Sequence, residues 1–513
     1  MSQDSQGNRR IAKNTMIIYI NMFLTMLIGL FTSRLVLQAL GVSDFGLFNA
    51  VGGIIGLFTF IAGALASTTT RFINVEMGKE DGDLNKVFNA CNVLHITLAL
   101  LILIITETGG IYYINHYLNV EPGKERDAMF IFQVSIIVSC IGITNVPFNS
   151  LFNATEKFMF NAIVGIGTKI IQLCVVIWLL HFEGNRVRAY SIIMSATTVV
   201  SCGIYVFFCH RNWPEIIRWR FVKDKELYKE VVSFSNYNLL STAALTARSQ
   251  GSSLLINYFF GTMVNGAFAV AKSVEGYVMA FAGNFDGASG PQITQSYAKG
   301  DMDRVMYLTC KIGKYCILLM LIAFFPLISE MDLVLNLWLK DVPEGALEFC
   351  NMTLLVALVS ATGGGIVQVL HASGKIAPFK ITFSIMMLAC IPLGFWMFKN
   401  GAAPYLLVAL FAAVDAVWRV IQLLFLRKII NFPVMTYVRE AYLPPLKVAI
   451  LVVPVIILTS LLPMHQLAWH LSRFIIILIV TLLACSFIGL TKNERKRVYA
   501  TIKNKFFHTT QYV

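Results

Sequence analysis

Charge is scarce in this chain. Of its 513 residues only 13% are Asp, Glu, Lys or Arg, while 57% are hydrophobic and the mean hydropathy is +0.69. A soluble domain of this length needs far more charge to cover its surface, so the soluble classes are excluded. Paired cysteines are lacking too. The ten cysteines all fall in or beside apolar runs and none forms a Cys-x-x-Cys pair, so neither a zinc site nor a disulfide framework is expected. No nucleotide-binding P-loop occurs, and no His/Asp/Glu cluster has metal-ligand spacing. Long polar stretches are missing as well, the longest predicted outer loop being 329–348. A soluble catalytic domain is thereby excluded and an enzyme is not expected. No cofactor is expected either; energy coupling falls to an H+ or Na+ gradient, the membrane potential or the substrate's own gradient.

What the chain has in abundance is apolar runs of about 20 residues, enough to cross a bilayer's hydrocarbon core. Helices are predicted near 14–40, 45–71, 86–113, 128–151, 158–182, 189–210, 233–259, 265–290, 306–328, 349–373, 378–399, 404–426, 441–462 and 468–490. The fold class is therefore all-α, a polytopic membrane protein of about 14 transmembrane helices. With the N-terminus inside, the cytoplasmic segments hold 23 Lys and Arg and the outer loops five. That asymmetry is what the positive-inside rule predicts and puts both termini in the cytoplasm. The net charge of +13 is thus explained without nucleic acid, and the basic runs 211–229 and 492–505 read as anchors on membrane lipids. Arg9-Arg10 with Lys13 is expected to be a polar cap before an uncleaved first span.

One stretch is written twice. Residues 41–83 shifted by 220 positions land on 261–303 without a gap, matching Gly41, Gly46, Phe48, Gly56, Ala62, Gly63, Ile73, Lys79, Asp81 and Asp83 with Gly261, Gly266, Phe268, Gly276, Ala282, Gly283, Ile293, Lys299, Asp301 and Asp303. Each copy is a glycine turn, an apolar helix and a Lys-x-Asp-x-Asp turn, which predicts a fold with two related halves. The expected domains are an N-terminal lobe at 1–210, an amphipathic basic cytoplasmic linker at 211–232, a C-terminal lobe at 233–430, and two extra helices with a basic tail at 431–513. The linker, with Trp213, Trp219 and Tyr228 among mixed charges, reads as a helix lying along the inner interface. Helix four is expected to end in a proline break around Pro147, and Gly363-Gly364-Gly365 to mark close helix packing.

Charge inside the spans costs about 3 kcal/mol per group at helix centre and calls for a wet cavity or a partner. Lys169 and Arg248 fall near the midplane, Lys272 lies further outward, and Arg34 and Arg71 lie nearer opposite faces. For Arg34 and Arg71 snorkelling is the competing reading. Neither Lys169 nor Arg248 has a charged partner nearby in sequence, and Arg248 aligns with Ile28 and Lys272 with Gly52, so these charges occur in one copy only. Among the acids, Glu275 shares a helix face with Lys272, Asp286 lies toward the cytoplasmic end of the same helix, and Asp415 stands four residues from Arg419. These three are candidates for ion coupling or simple charge pairing.

The run Arg34-Leu-Val-Leu-Gln-Ala-Leu-Gly41-Val-Ser-Asp-Phe-Gly46-Leu-Phe48, the Thr-Thr-Thr-Arg71 helix ending and the Ala298-Lys-Gly-Asp301 turn resemble bacterial polysaccharide transporters. These are the O-antigen or capsule-repeat flippases of the MATE-like multidrug/oligosaccharidyl-lipid/polysaccharide exporter superfamily. The resemblance covers roughly residues 10–430. It implies two six-helix lobes around a central cavity with alternating access. It also implies transfer of undecaprenyl-pyrophosphate-linked oligosaccharide from the cytoplasmic to the periplasmic leaflet of the bacterial inner membrane. Lys169, Arg248 and Lys272, with Arg34 and Arg71, are the positions that would meet the pyrophosphate. Other polysaccharide-assembly proteins are implied as partners. Rival readings are an ion-coupled multidrug antiporter, which would lean on Glu275 and Asp286, and a lipid II flippase. A sugar-repeat polymerase would need a long outer loop, and a scaffold gives no reason for intramembrane cations.

Overall fold

The computed structural model describes residues 3–77, 81–155, 157–373, 377–462 and 467–496. The turn at Gly374-Lys375, Lys79, most of the basic tail and the side chains of Arg9, Arg10 and Lys13 lie outside the described residues. Every regular element among the described residues is helical. The helices are α1 (3–40), α2 (42–77), α3 (Leu84–His116), α4 (Glu125–Ala154), α5 (Phe158–Leu179), α6 (Arg186–Asn212), α7 (225–260) and α8 (262–298). They continue with α9 (Met302–Ser329), a short helix at Met331–Trp338, α10 (346–372), α11 (Ala377–Lys399), α12 (Leu406–Ile430), α13 (Val434–Ser460) and α14 (Leu467–Gly489). Eleven described segments are long and apolar enough to cross a membrane. The difference from fourteen has a structural cause. α1 and α2 run on through one kink, α7 and α8 through another, and α10 is interrupted.

The two kinks are the duplicated glycines. Gly41 has φ 79 and ψ 169, and Gly261 has φ 81 and ψ −175, a conformation open to glycine alone. The copies also touch reciprocally. A Cβ on Gly46 would sit 1.9 Å from the Thr262 carbonyl oxygen, and one on the matching Gly266 would sit 2.7 Å from the Val42 carbonyl oxygen. Thr262 and Val42 are themselves matched, so residue i meets j′ while j meets i′, as across a two-fold axis. The register slips at the far end. Asp83 caps α3, accepting from the Lys86 amide at 2.9 Å, whereas Asp301, and not Asp303, caps α9 through the Arg304 amide at 3.0 Å.

Contacts divide the chain into two compact units. The first is Met1–Ala269 with Trp338–Glu344 and Lys380–Pro404. Its core sets Leu47, Val51 and Ile54 of α2 against Ile131, Phe132 and Ile136 of α4. Gly110, in a π-turn of α3, leaves space for the Phe132 ring, which a Cβ would meet at 2.4 Å. α4 does not end at Pro147 but runs through it to Ala154. Neighbouring helices hold the proline buried, and Asn145 beside it donates to the Cys202 carbonyl of α6 at 2.9 Å.

The linker is not one interfacial helix. α6 stops at Asn212, Pro214–Ile217 makes a single turn, and 218–224 is non-helical. Two asparagines of α3 hold it there. Asn85 donates to the carbonyls of Glu215, Ile216 and Arg218, and Asn89 donates to Arg218 and accepts from the Arg220 amide. Arg220–Asp83 and Lys86–Asp224 ion pairs flank those bonds.

The second unit is Val270–Leu337, Gly345–Phe379 and Tyr405–Val513. α9 packs against α10, α13 and α14 there. Two ion clusters fasten its ends. Glu494 meets Lys314 at 2.6 Å and Lys311 at 2.7 Å, with Lys314 only 2% exposed. Glu330 meets Arg473 and His470 at 2.8 Å each.

Candidate functional site

In the first unit, α7 carries the polar run from Arg248 to Asn257. Most of it is spent on packing. Ser252 donates to the Arg248 carbonyl, one turn back. Ser253 donates to Asn265, which in turn donates to the Gly46 carbonyl at 3.1 Å, tying α7 to the glycine contact. Asn257 exchanges two hydrogen bonds with the backbone of Asn119. Gln250 fills the space over Gly53 and Gly56 of α2, where a Cβ on Gly56 would come within 2.8 Å of its amide. Arg248 stands at the start of this run, half-buried, with its guanidinium 3.0 Å from the Met387 sulfur of α11.

The other first-unit cations stand on separate helices. Lys169, half-buried on α5, donates to Gln172 at 3.1 Å. That partner is three residues away, a neutral amide that a search for opposite charge passes over. Arg34 is half-buried on α1, and Arg71 is exposed on α2. Sequence reasoning also missed an acid in this unit. Glu107 sits in the π-turn Thr106–Gly110 of α3 and accepts from Gln133 at 3.1 Å. Such turns recur at functional sites, and the Thr-Glu-Thr-Gly-Gly run was the available signal.

In the second unit, Lys272 and Glu275 form an ion pair at 2.6 Å along α8. Asp286 of the same helix accepts from the Gly365 amide at 2.7 Å and from Gln368 at 3.4 Å. Gly365 lies in a break of α10. Thr362–Gly365 leave the helix, Gly365 takes φ 77, and the freed carbonyls are met by Tyr437 (Gly364, 2.9 Å) and Tyr442 (Thr362, 3.0 Å). Arg419 donates to the Val359 carbonyl and to Gln422, and Asp415 is buried on the same α12. The glycine run does pack closely, Gly364 against Cys316 and Gly363 against Arg419. It also breaks a membrane-depth helix, which sequence reasoning did not foresee. Irregular backbone at that depth is tolerated where protein or a cavity satisfies it.

All-helical organisation, duplicated glycine kinks, a broken helix and cations within the spans together define a polytopic membrane transporter fold. Solved structures agree. A lipid II flippase, MurJ, in an inward closed conformation aligns with TM-score 0.69 at 15% identity over 92% of this chain and 98% of its own. A multidrug resistance MATE family transporter in an inward-facing conformation aligns with TM-score 0.60 at 14% identity over 83% and 99%. A MOP superfamily transporter from Pyrococcus furiosus aligns with TM-score 0.59 at 12% identity over 82% and 95%. A search of individually curated proteins returns no match.

Residues 11–284 match the family described as polysaccharide biosynthesis protein, and the chain belongs to that family. With the fold, this places it in the MOP exporter superfamily, among transporters and flippases rather than enzymes.

Proposed function

We propose that the protein is a flippase that carries undecaprenyl-pyrophosphate-linked oligosaccharide repeats of O-antigen, capsule or exopolysaccharide from the cytoplasmic to the periplasmic leaflet. The observation that carries this reading is Arg248, a half-buried guanidinium within a span, in a chain of a polysaccharide biosynthesis family. A pyrophosphate cannot cross hydrocarbon unaided, and guanidinium binds its oxygens with paired, charge-assisted hydrogen bonds. Lys169, Arg34 and Arg71 add positive charge from α5, α1 and α2, whereas the charge of the further candidate Lys272 is balanced by Glu275. Alternating access exposes the site to each side in turn, while the lipid tail stays in the bilayer. Glu275, Asp286 (at the α10 break) and Asp415 are the candidate residues for H+ or Na+ coupling or for charge pairing. Both termini and the 211–232 linker lie on the cytoplasmic side of the inner membrane, as the loop charges require.

The test is a leaflet assay. Purified protein is reconstituted into vesicles with a fluorescent polyprenyl-pyrophosphate oligosaccharide, and a membrane-impermeant quencher reads how much reaches the other leaflet. Transport of this substrate but not of a rhodamine dye supports the flippase. Dye export under a cation gradient without lipid transfer would establish the antiporter instead.

A further inference from the structure

A second site lies in the first unit, apart from the residues above. Where α3, α4 and α6 meet, a cleft of about 620 Å³ opens, within the range of about 300–1,000 Å³ found for small-ligand sites. Its walls are apolar, with Ile141 and Phe148 from α4 and Val199 and Phe207 from α6. Gly203 lines it beside open space, where a Cβ would meet nothing within 4 Å. The helix surface around it is apolar and exposed as well, Phe207 by 66% and Val200 by 55%. In a membrane protein such a surface faces lipid. One end differs: His210 lines the cleft there, and exposed Arg211 follows at the end of α6.

We propose that this cleft holds one hydrocarbon chain of an anionic membrane phospholipid, with the headgroup phosphate against His210 and Arg211. Apolar walls open to the bilayer select a chain, and a basic end selects a negative headgroup. On the orientation proposed above, the bound lipid belongs to the cytoplasmic leaflet. The binding itself does not depend on what the protein transports. Asn145, bonded to Cys202 across α4 and α6, keeps the two walls at fixed separation.

Native mass spectrometry tests this on the full chain released from bilayers of phosphatidylglycerol or phosphatidylcholine. Wild type and Gly203→Ala are expected to retain a phosphatidylglycerol that Gly203→Trp loses at least tenfold, because the indole fills the cleft. His210→Gln with Arg211→Gln should lower the preference for phosphatidylglycerol over phosphatidylcholine at least threefold. A benzophenone amino acid replacing Val199 supplies a readout in an otherwise unaltered fold and should crosslink phosphatidylglycerol. Equal retention by wild type and a folded Gly203→Trp, indifference to headgroup, capture of a polyprenyl phosphate in preference, or no crosslink at position 199 would each overturn the proposal.

Discussion

Three glycines on one stretch of chain separate three physical effects. Gly41 sits at φ 79 and ψ 169, and a Cβ there meets nothing within 4 Å. Gly41→Ala therefore costs backbone strain alone, about 1–3 kcal/mol. Gly46 is helical, yet its Cβ would lie 1.9 Å from the Thr262 oxygen and 2.9 Å from the Gly266 nitrogen. Both are backbone atoms and cannot swing aside, so Gly46→Ala forces α2 and α8 apart at a cost of about 1–3 kcal/mol or more. Gly52 is helical with open space around it, so Gly52→Ala gains up to about 1 kcal/mol. Because membrane proteins unfold irreversibly, the assay is a rate: the fraction of monodisperse protein surviving heating in detergent, scored by size exclusion. The order expected is Gly52→Ala above wild type, and Gly41→Ala and Gly46→Ala below it. Gly261→Ala should match Gly41→Ala, since the conformation is shared. A Gly41→Ala variant as robust as Gly52→Ala would refute the reading of the kinks as glycine-only turns.

Two further outcomes follow from the ion pairs. Replacing Lys272 or Glu275 alone strands the other charge, so the double change Lys272→Met, Glu275→Gln should impair transport less than either single one; damage equal to that of Glu275→Gln would instead mark Glu275 as an ion carrier. At the α9 end, burial tends to raise the Glu494 pKa, but hydrogen bonds from Lys311, Lys314 and the Thr491 amide outweigh it and bring the group down to about 2. Its stabilisation is fully present above about pH 4.5 and is lost as the pH falls toward 2. Glu494→Gln should flatten the acid side of a pH profile of survival on heating, and an unchanged profile would show that the cluster contributes nothing.

Helices, duplication and turn glycines were legible in the sequence because each rests on local rules: apolar length, a repeated register, and a conformation open to glycine only. The 218-residue spacing of the true caps, Asp83 and Asp301, was not, because either aspartate of the Lys-x-Asp-x-Asp turn can cap and tertiary packing chooses between them. The linker failed as a helix for a related reason. Its carbonyls are captured by Asn85 and Asn89, more than 100 residues earlier in the chain. At the candidate site, residue type pointed to Arg248 and Lys169, yet the polar run beside Arg248 proved to be mostly helix-to-helix bonding. Lys314 and Glu494, 180 positions apart, form a cluster that no local pattern announces.

The central claim, that Arg248 grips the pyrophosphate of a lipid-linked sugar, is tested most directly in the reconstituted leaflet assay with matched protein amounts. Arg248→Ala should insert and survive purification yet flip the lipid-linked oligosaccharide at least tenfold more slowly. Arg248→Lys, which keeps the charge and loses the paired hydrogen bonds, should fall between the two. Wild-type flipping by a stable Arg248→Ala protein would contradict the account.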